Sequence, residues 1–434
     1  MKAFALALTL SAAPALGNDG AEFLTLKGHG GPVMAVSVDD AGRVVSGSFD
    51  NAVALWQDGS PTWLEAHDAA VTAVTMGPDG GLFSAGDDFV IYRWSATGAT
   101  EIGRHAGKIR GLHVSDDGRW LASAGWDGRI GIWPLGPLGP LAEGTPHMIE
   151  VGAGVNDVQF GPAGQLFAAT TTGEILVYED LHAPARDLVR QGFGINRLLI
   201  SEQGWLVYGA VDGATRVIDA DTGAALADFT LDRRPILALA HHPASGQIAV
   251  GDGQGYIMLI DTQAWRIARD FRAMREGPVW ALAFAPDGTR IWAAGIHDLI
   301  YGWPVALMDQ FDAVEAGPRS FLQDPDSMTN GERQFMRKCS ICHALNETGS
   351  RKAGPHLAGL FGRTAGSLKG YRYSETLTGS DIVWTAQTID ALFDLGPDHY
   401  IPGSKMPMQR ITASADRQDL IDYLKLATNT QEDN

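Results

Sequence analysis

Between Glu22 and Pro304 the chain returns to the same residues about every 40 positions, and no other feature of its 434 residues limits the fold as much. Three copies are plain. The first carries Gly28-His29, a turn at Asp39-Asp40-Ala41-Gly42, then Ser46, Asp50 and Trp56; the second has His67, Pro78-Asp79-Gly80, Ser84, Asp88 and Trp94. The third has His105, Asp116-Asp117-Gly118, Ser123, Asp127 and Trp133. His and Asp are 21, 21 and 22 residues apart, and Asp and Trp six apart each time. Short β-rich runs alternate with turn residues inside each copy, so one unit holds about four strands and must stack on its neighbours to bury them.

Four weaker copies follow. Gly161-Pro162-Ala163-Gly164 leads to Val177-Tyr178, Glu202-Gln203-Gly204 to Val217-Ile218, Pro243-Ala244-Ser245-Gly246 to Leu259-Ile260, and Pro286-Asp287-Gly288 to Gly302-Trp303. Seven copies predict an all-β propeller over 22–304, with Glu22 to Leu26 supplying the outer strand that closes the last blade. The residues resemble the WD-repeat family, in which the His, Ser/Thr, Asp and Trp side chains form a hydrogen-bonded chain within a blade. A buried imidazole and a buried indole N–H each need a partner, so His29, His67 and His105 read as structural rather than as ligands.

The period breaks at Leu307, and Gly317-Pro318-Arg319-Ser320 reads as a turn within a linker over 305–324. Beyond it stand the only two cysteines, in Cys339-Ser340-Ile341-Cys342-His343. C-x-x-C-H is the attachment pattern of a c-type haem (heme c): two thiols tether the porphyrin, and the adjacent His343 ligates iron. A thioredoxin-like pair or half a zinc site are the competing readings. No second cysteine pair completes a Cys₄ cage, and no thioredoxin-type helix start surrounds this one.

The N-terminus fits that cofactor. Lys2, the apolar run Ala3 to Leu10 and the small residues Ala13-Pro14-Ala15-Leu16-Gly17 predict a signal peptide over 1–17 and a periplasmic protein, since covalent haem attachment in bacteria takes place outside the cytoplasm. The run is far shorter than a spanning helix, so no integral membrane segment is expected. From Pro325 onward the chain carries 12 basic and 13 acidic residues; of the formal charge of −18, that leaves −17 on the first 324. An acidic large domain argues against nucleic acid.

Residues 325–428 resemble class I cytochrome c, in its mitochondrial cytochrome c and bacterial cytochrome c₂ branch, with 429–434 as a tail. The resemblance rests on Glu332-Arg333-Gln334-Phe335 before the haem motif, Ala353-Gly354-Pro355-His356-Leu357, Gly359-Leu360-Phe361-Gly362-Arg363, Gly370-Tyr371-Arg372-Tyr373-Ser374, Trp384, and Tyr400-Ile401-Pro402-Gly403-Ser404-Lys405-Met406. The fold class is therefore multidomain, a seven-bladed WD-repeat propeller followed by an all-α cytochrome c domain.

The resemblance implies residue roles. Met406, 63 residues after His343, becomes the second axial ligand in preference to Met408. The Pro355 carbonyl orients His343. Arg363, Tyr373 and Trp384 serve the haem propionates, while Phe335, Leu357, Leu420 and Tyr423 pack the haem face and the helix contact. His356 and His399 match non-ligand positions. Two departures stand out: Phe393 where the family has a tyrosine, and Leu377 where it often has an asparagine. Both dry the distal pocket and predict a raised potential. The family's lysine rim is reduced to Lys338, Lys352, Lys369 and Lys405.

With both axial positions taken by protein, one covalent haem c passes single electrons and activates no substrate. The expected partner is a periplasmic redox protein, donor or acceptor, docked on the propeller. The alternative is a propeller–cytochrome oxidoreductase with a substrate or second cofactor in the channel. Its candidate residues are His113, His147, His182, His297 and the pair His241-His242, which reads as solvated at the end of an inner strand.

Overall fold

The structure, a computed structural model, describes residues 22–136, 146–310, 328–340, 342–347, 352–406 and 409–429. The segment read as a signal peptide, most of the tail, the linker from residue 311 onward, Ile341 and Met408 lie outside the described residues.

Seven four-stranded antiparallel sheets follow one another along the chain. The pairing register repeats in every blade: Val44 faces Trp56, Leu82 faces Trp94 and Leu121 faces Trp133. The weaker copies keep it, with Leu166 opposite Tyr178, Leu206 opposite Ile218, Ile248 opposite Ile260 and Ile291 opposite Trp303. The turn after each inner strand carries one glycine at positive φ, from Gly42 at 79° to Gly288 at 68°, where a side chain would strain the backbone. The strand Leu24–Lys27 pairs with Leu299–Pro304, so the N-terminal end completes the seventh blade and removes its free edge.

What fills the blades differs along the ring. In the first, Trp56 Nε1–H donates to Ser46 Oγ at 2.7 Å, Ser46 Oγ meets His29 Nε2 at 2.8 Å, and His29 Nδ1 meets Asp50 Oδ2 at 3.0 Å. The same relay joins Trp94, Ser84, His67 and Asp88, and again Trp133, Ser123, His105 and Asp127. Burial opposes ionisation of Asp50, yet the bond from His29 and the N–H groups of Gly30 and Ala52 hold its carboxyl below the usual range. The other four blades put Ala168, Tyr208, Val250 and Ala293 at the serine position, all buried. Apolar packing at Ala168, Val250 and Ala293 replaces a network that stabilises only when complete, while the Tyr208 hydroxyl accepts from Arg216 Nη1 at 3.4 Å.

Each inner strand also has a register shift between its first and third residues, from Val33/Ala35 to Val279/Ala281. Several bulged residues reach the next blade: Asn156 Nδ2–H donates to the Ile195 carbonyl at 2.9 Å, and Asn196 Nδ2–H to the Ile236 carbonyl at 2.8 Å. The bulge turns a side chain sideways, and that stitches neighbouring blades together at the channel.

Among the described residues the C-terminal domain has five helices: α1 (Asn330–Lys338), α2 (Glu375–Thr378), α3 (Ala386–Leu395), α4 (Pro397–Tyr400) and α5 (Ser414–Ala427). Helices α1 and α5 cross at Gly331, where an added Cβ would lie 2.0 Å from the Asp419 carbonyl oxygen. Asn330 Nδ2–H groups bind Asp416 and Asp419 there, and Phe335 meets Tyr423. Thr385 and Thr388 form a capping box at the start of α3. No helix among the described residues is long and apolar enough to cross a membrane.

The relay gives a stability prediction. Ser46→Ala leaves the buried indole N–H of Trp56 without an acceptor and should destabilise the protein by about 1–3 kcal/mol. Val250→Ala removes only apolar contacts and should leave the urea transition slope unchanged while costing about 1–2 kcal/mol. Urea unfolding followed by tryptophan fluorescence measures both.

Candidate haem site

The haem motif begins where α1 ends. Cys339 caps the helix through its N–H to the Phe335 carbonyl. The N–H groups of Cys342 and His343 then both return to the Cys339 carbonyl, at 3.0 and 2.8 Å. This turn gathers the two thiols and the imidazole within five residues. Burial pushes the Cys339 thiol up to about 12 and the Cys342 thiol up to about 11. A redox dithiol needs a lowered value, so the pair is unsuited to thioredoxin chemistry. Among the described residues no three His, Cys, Asp or Glu side chains group to hold a metal ion.

A cavity of about 1210 Å³ opens beside this turn, lined by Cys342, His343, Pro355, Arg363, Tyr373, Trp384 and Met406, with Leu392 and Phe393 among its apolar walls. His343 Nδ1 lies 2.8 Å from the Pro355 carbonyl oxygen, the partner that fixes ring orientation. Burial lowers the pKa of His343, against the pull of that carbonyl, and keeps the ring neutral as a ligating imidazole must be. On one side the ring is clamped by Gly354, where a Cβ would come 2.4 Å from His343 Cε1.

The other expected residues stand on a frame that the fold supplies. The backbone of Trp384 bonds to Gly362 and Arg363, which brings Arg363 and Trp384 to one wall. Arg363 donates from Nη1 to the Ala358 carbonyl and from Nη2 to the His356 carbonyl, holding the loop that follows Pro355 and leaving three of its five N–H groups. Tyr373 packs edge-on against Tyr371. Met406 follows a turn at Gly403 in which the Ser404 N–H returns to the Ile401 carbonyl at 3.1 Å.

These residues fit a haem. The cavity combines apolar walls with buried polar atoms that have no partner among the described residues, Ser374 Oγ, Ser404 Oγ and Gln409 Oε1. Such atoms cost stability unless the occupant offers polar groups of its own. Cys339 and Cys342 would hold the porphyrin, His343 and Met406 the iron, and Arg363 the acidic edge.

Two contributors were not singled out by sequence. Tyr371 donates its O–H to the Ala353 carbonyl at 2.6 Å, tying the Pro355 loop to the Tyr373 segment. Its place in Gly370-Tyr371-Arg372-Tyr373 was the available signal. Arg372 points away to the propeller, and nothing local in the sequence marked that.

His113, His241 and His242 have partners within the blades. His242, expected to be solvated, is buried: Nδ1 meets Ser245 Oγ at 2.8 Å and Nε2 meets the Pro286 carbonyl at 3.0 Å. The short helix Pro243–Ser245 folds back over it, which is why it leaves solvent. His241 packs edge-on against Trp205, and burial lowers its pKa to about 4. His113 accepts the Phe160 N–H, and His147 stacks on His182.

Phe393 is buried on the cavity wall, where a hydroxyl would add a dipole to an otherwise dry surface. Phe393→Tyr should lower the midpoint potential by on the order of tens of mV in a redox titration, and an unchanged potential would refute the role of that dryness.

Comparison with known proteins agrees with this geometry. A family model for cytochrome c matches residues 328–427, and one for the WD domain, G-beta repeat, matches 20–57, 60–95 and 99–134. Cytochrome c of Sesamum indicum is 41% identical over 106 residues, covering 24% of this chain and 93% of that protein. Cytochrome c of Chlamydomonas reinhardtii is 39% identical over 110 residues, 25% of this chain and 97% of its own length. That of Theileria annulata is 41% identical over 99 residues, 23% and 84%. The domain is thus a haem c electron-transfer module. Through it the chain belongs to the cytochrome c family, here fused to a seven-bladed WD-repeat propeller.

Proposed function

We propose that this chain is a periplasmic carrier of single electrons, with one covalent haem c ligated by His343 and Met406 and a propeller that serves as a docking platform for a redox protein. The observation that carries the ligation is the shared cavity: His343, neutral and oriented by Pro355, and Met406 both line it. Haem c supplies a one-electron couple. His343 and Met406 would hold its iron, Phe393, Leu392 and Leu377 would exclude water, and Arg363 and Tyr373 would meet the propionate edge. A thioether favours the ferrous state and so raises the potential. The leader-like residues 1–17 support the periplasmic location.

The platform reading rests on one face of the ring. The turns between second and third strands, and the connections that enter each inner strand, share that face. On it Trp126, Phe193 and Val211 are large apolar side chains 49%, 56% and 42% exposed. Trp126 is held in place by Asn156, which accepts its N–H at 2.9 Å, and by Arg110 over its ring. A fixed, exposed tryptophan beside other apolar groups is the usual anchor of a protein interface.

Met406→Ala should lower the potential by on the order of 100 mV and let added imidazole bind the iron, whereas Met408→Ala should do neither. Potentiometry and imidazole titration of the two variants decide the ligand. Imidazole binding to Met408→Ala alone would reverse the assignment.

A further inference from the structure

The haem cavity does not end within the cytochrome domain. Its outer part is lined by Phe49, Asn51, Asp68, Asp87, Phe89 and Lys108, which belong to the first three blades and to the face that carries Trp126. At its edge Arg372 Nη2 donates to the carbonyls of Ala66 and His67, at 2.6 and 3.1 Å, and to Asp68 Oδ1. Lys405 Nζ donates to the same Asp68 oxygen at 2.7 Å and to the Arg372 carbonyl at 3.1 Å. One propeller carboxylate therefore gathers two cations from separate loops of the cytochrome domain. Those loops carry Tyr373 and Met406, so the contact sits at the mouth of the haem crevice.

We propose that the propeller is the cytochrome domain's own docking partner: Asp68 latches Arg372 and Lys405 and covers the haem mouth, so that a protein-sized redox partner exchanges electrons only when the latch opens. This goes beyond the platform reading and rests on the electron-carrier reading. The charges agree, an acidic propeller bearing −17 with its linker against a nearly neutral domain whose remaining cations include these two. The contact is also suited to opening. Side chains of Asp68 and Arg372 are 57% and 59% exposed, so their pairing is weak and screened by salt. A short tether compensates for weakness, because linked surfaces meet at an effective concentration of order millimolar. The latch thus leaves half of one face for the cytochrome domain and the half around Trp126, Phe193 and Val211 for an outside protein.

The test uses the full chain and two reductants, reduced FMN as a small probe and reduced flavodoxin as a protein-sized one, in stopped flow. Asp68→Ala removes only the latch, since its side chain bonds to nothing else recorded among the described residues. At low salt it should raise the flavodoxin rate about fivefold or more relative to the FMN rate, and Arg372→Ala should do the same from the other side. Raising the salt should bring the wild-type ratio up to that of Asp68→Ala. Asp232→Ala, which removes one charge from the same face, should leave the ratio unchanged. A ratio for Asp68→Ala equal to that of wild type at low salt, or matched by Asp232→Ala, overturns the latch. Midpoint potential and the iron–thioether charge-transfer band are read in parallel: both should be those of wild type in every variant. Haem that neither reductant reduces in any variant, wild type included, would sink the electron-carrier reading instead.

Discussion

The C-terminal domain is built around a cavity that its own side chains do not fill. Its helices run from four to fourteen residues, lengths that do not hold in water without tertiary packing. The apolar side chains that should pack them, Leu357, Leu360, Ile389, Leu392 and Phe393, surround a cavity as well as one another. Haem c held in that cavity would turn it into core and link cofactor binding to folding. The same burial raises both thiols and lowers the pKa of His343.

The propeller is closed by its own strands. Closure by Leu24–Lys27, a constant register and the bulged inner strands make a ring whose faces are fixed while its surface residues vary. The Trp–Ser–His–Asp relay is built in three blades, and the other four lack its serine. The relay blades are the first three, and the haem mouth meets those same blades.

Much of this was legible because the signals are local. The His-to-Asp and Asp-to-Trp spacings follow from strand register, and the turn glycines kept the count of blades where Ser46, Ser84 and Ser123 have no counterparts. The haem motif was legible because two thiols and an imidazole must lie within one turn. Long-range facts were not legible. Arg372 and Asp68 are 304 residues apart, and neither stands in a periodic pattern that names a partner. The burial of His242 was not legible because its ring meets the Pro286 carbonyl of the next blade, 44 residues away. Tyr371 shares its motif with Tyr373, and its bond to the Ala353 carbonyl 18 residues away leaves no local mark in the sequence.

A redox protein docked on the Trp126 face of a single-electron carrier is best sought by capture from a periplasmic extract. The bait is the full chain, compared with a Trp126→Ala/Phe193→Ala variant of unchanged haem spectrum. A redox protein should be held by the parent chain and lost with the variant. A redox protein held equally by both, or none held by either, would contradict it.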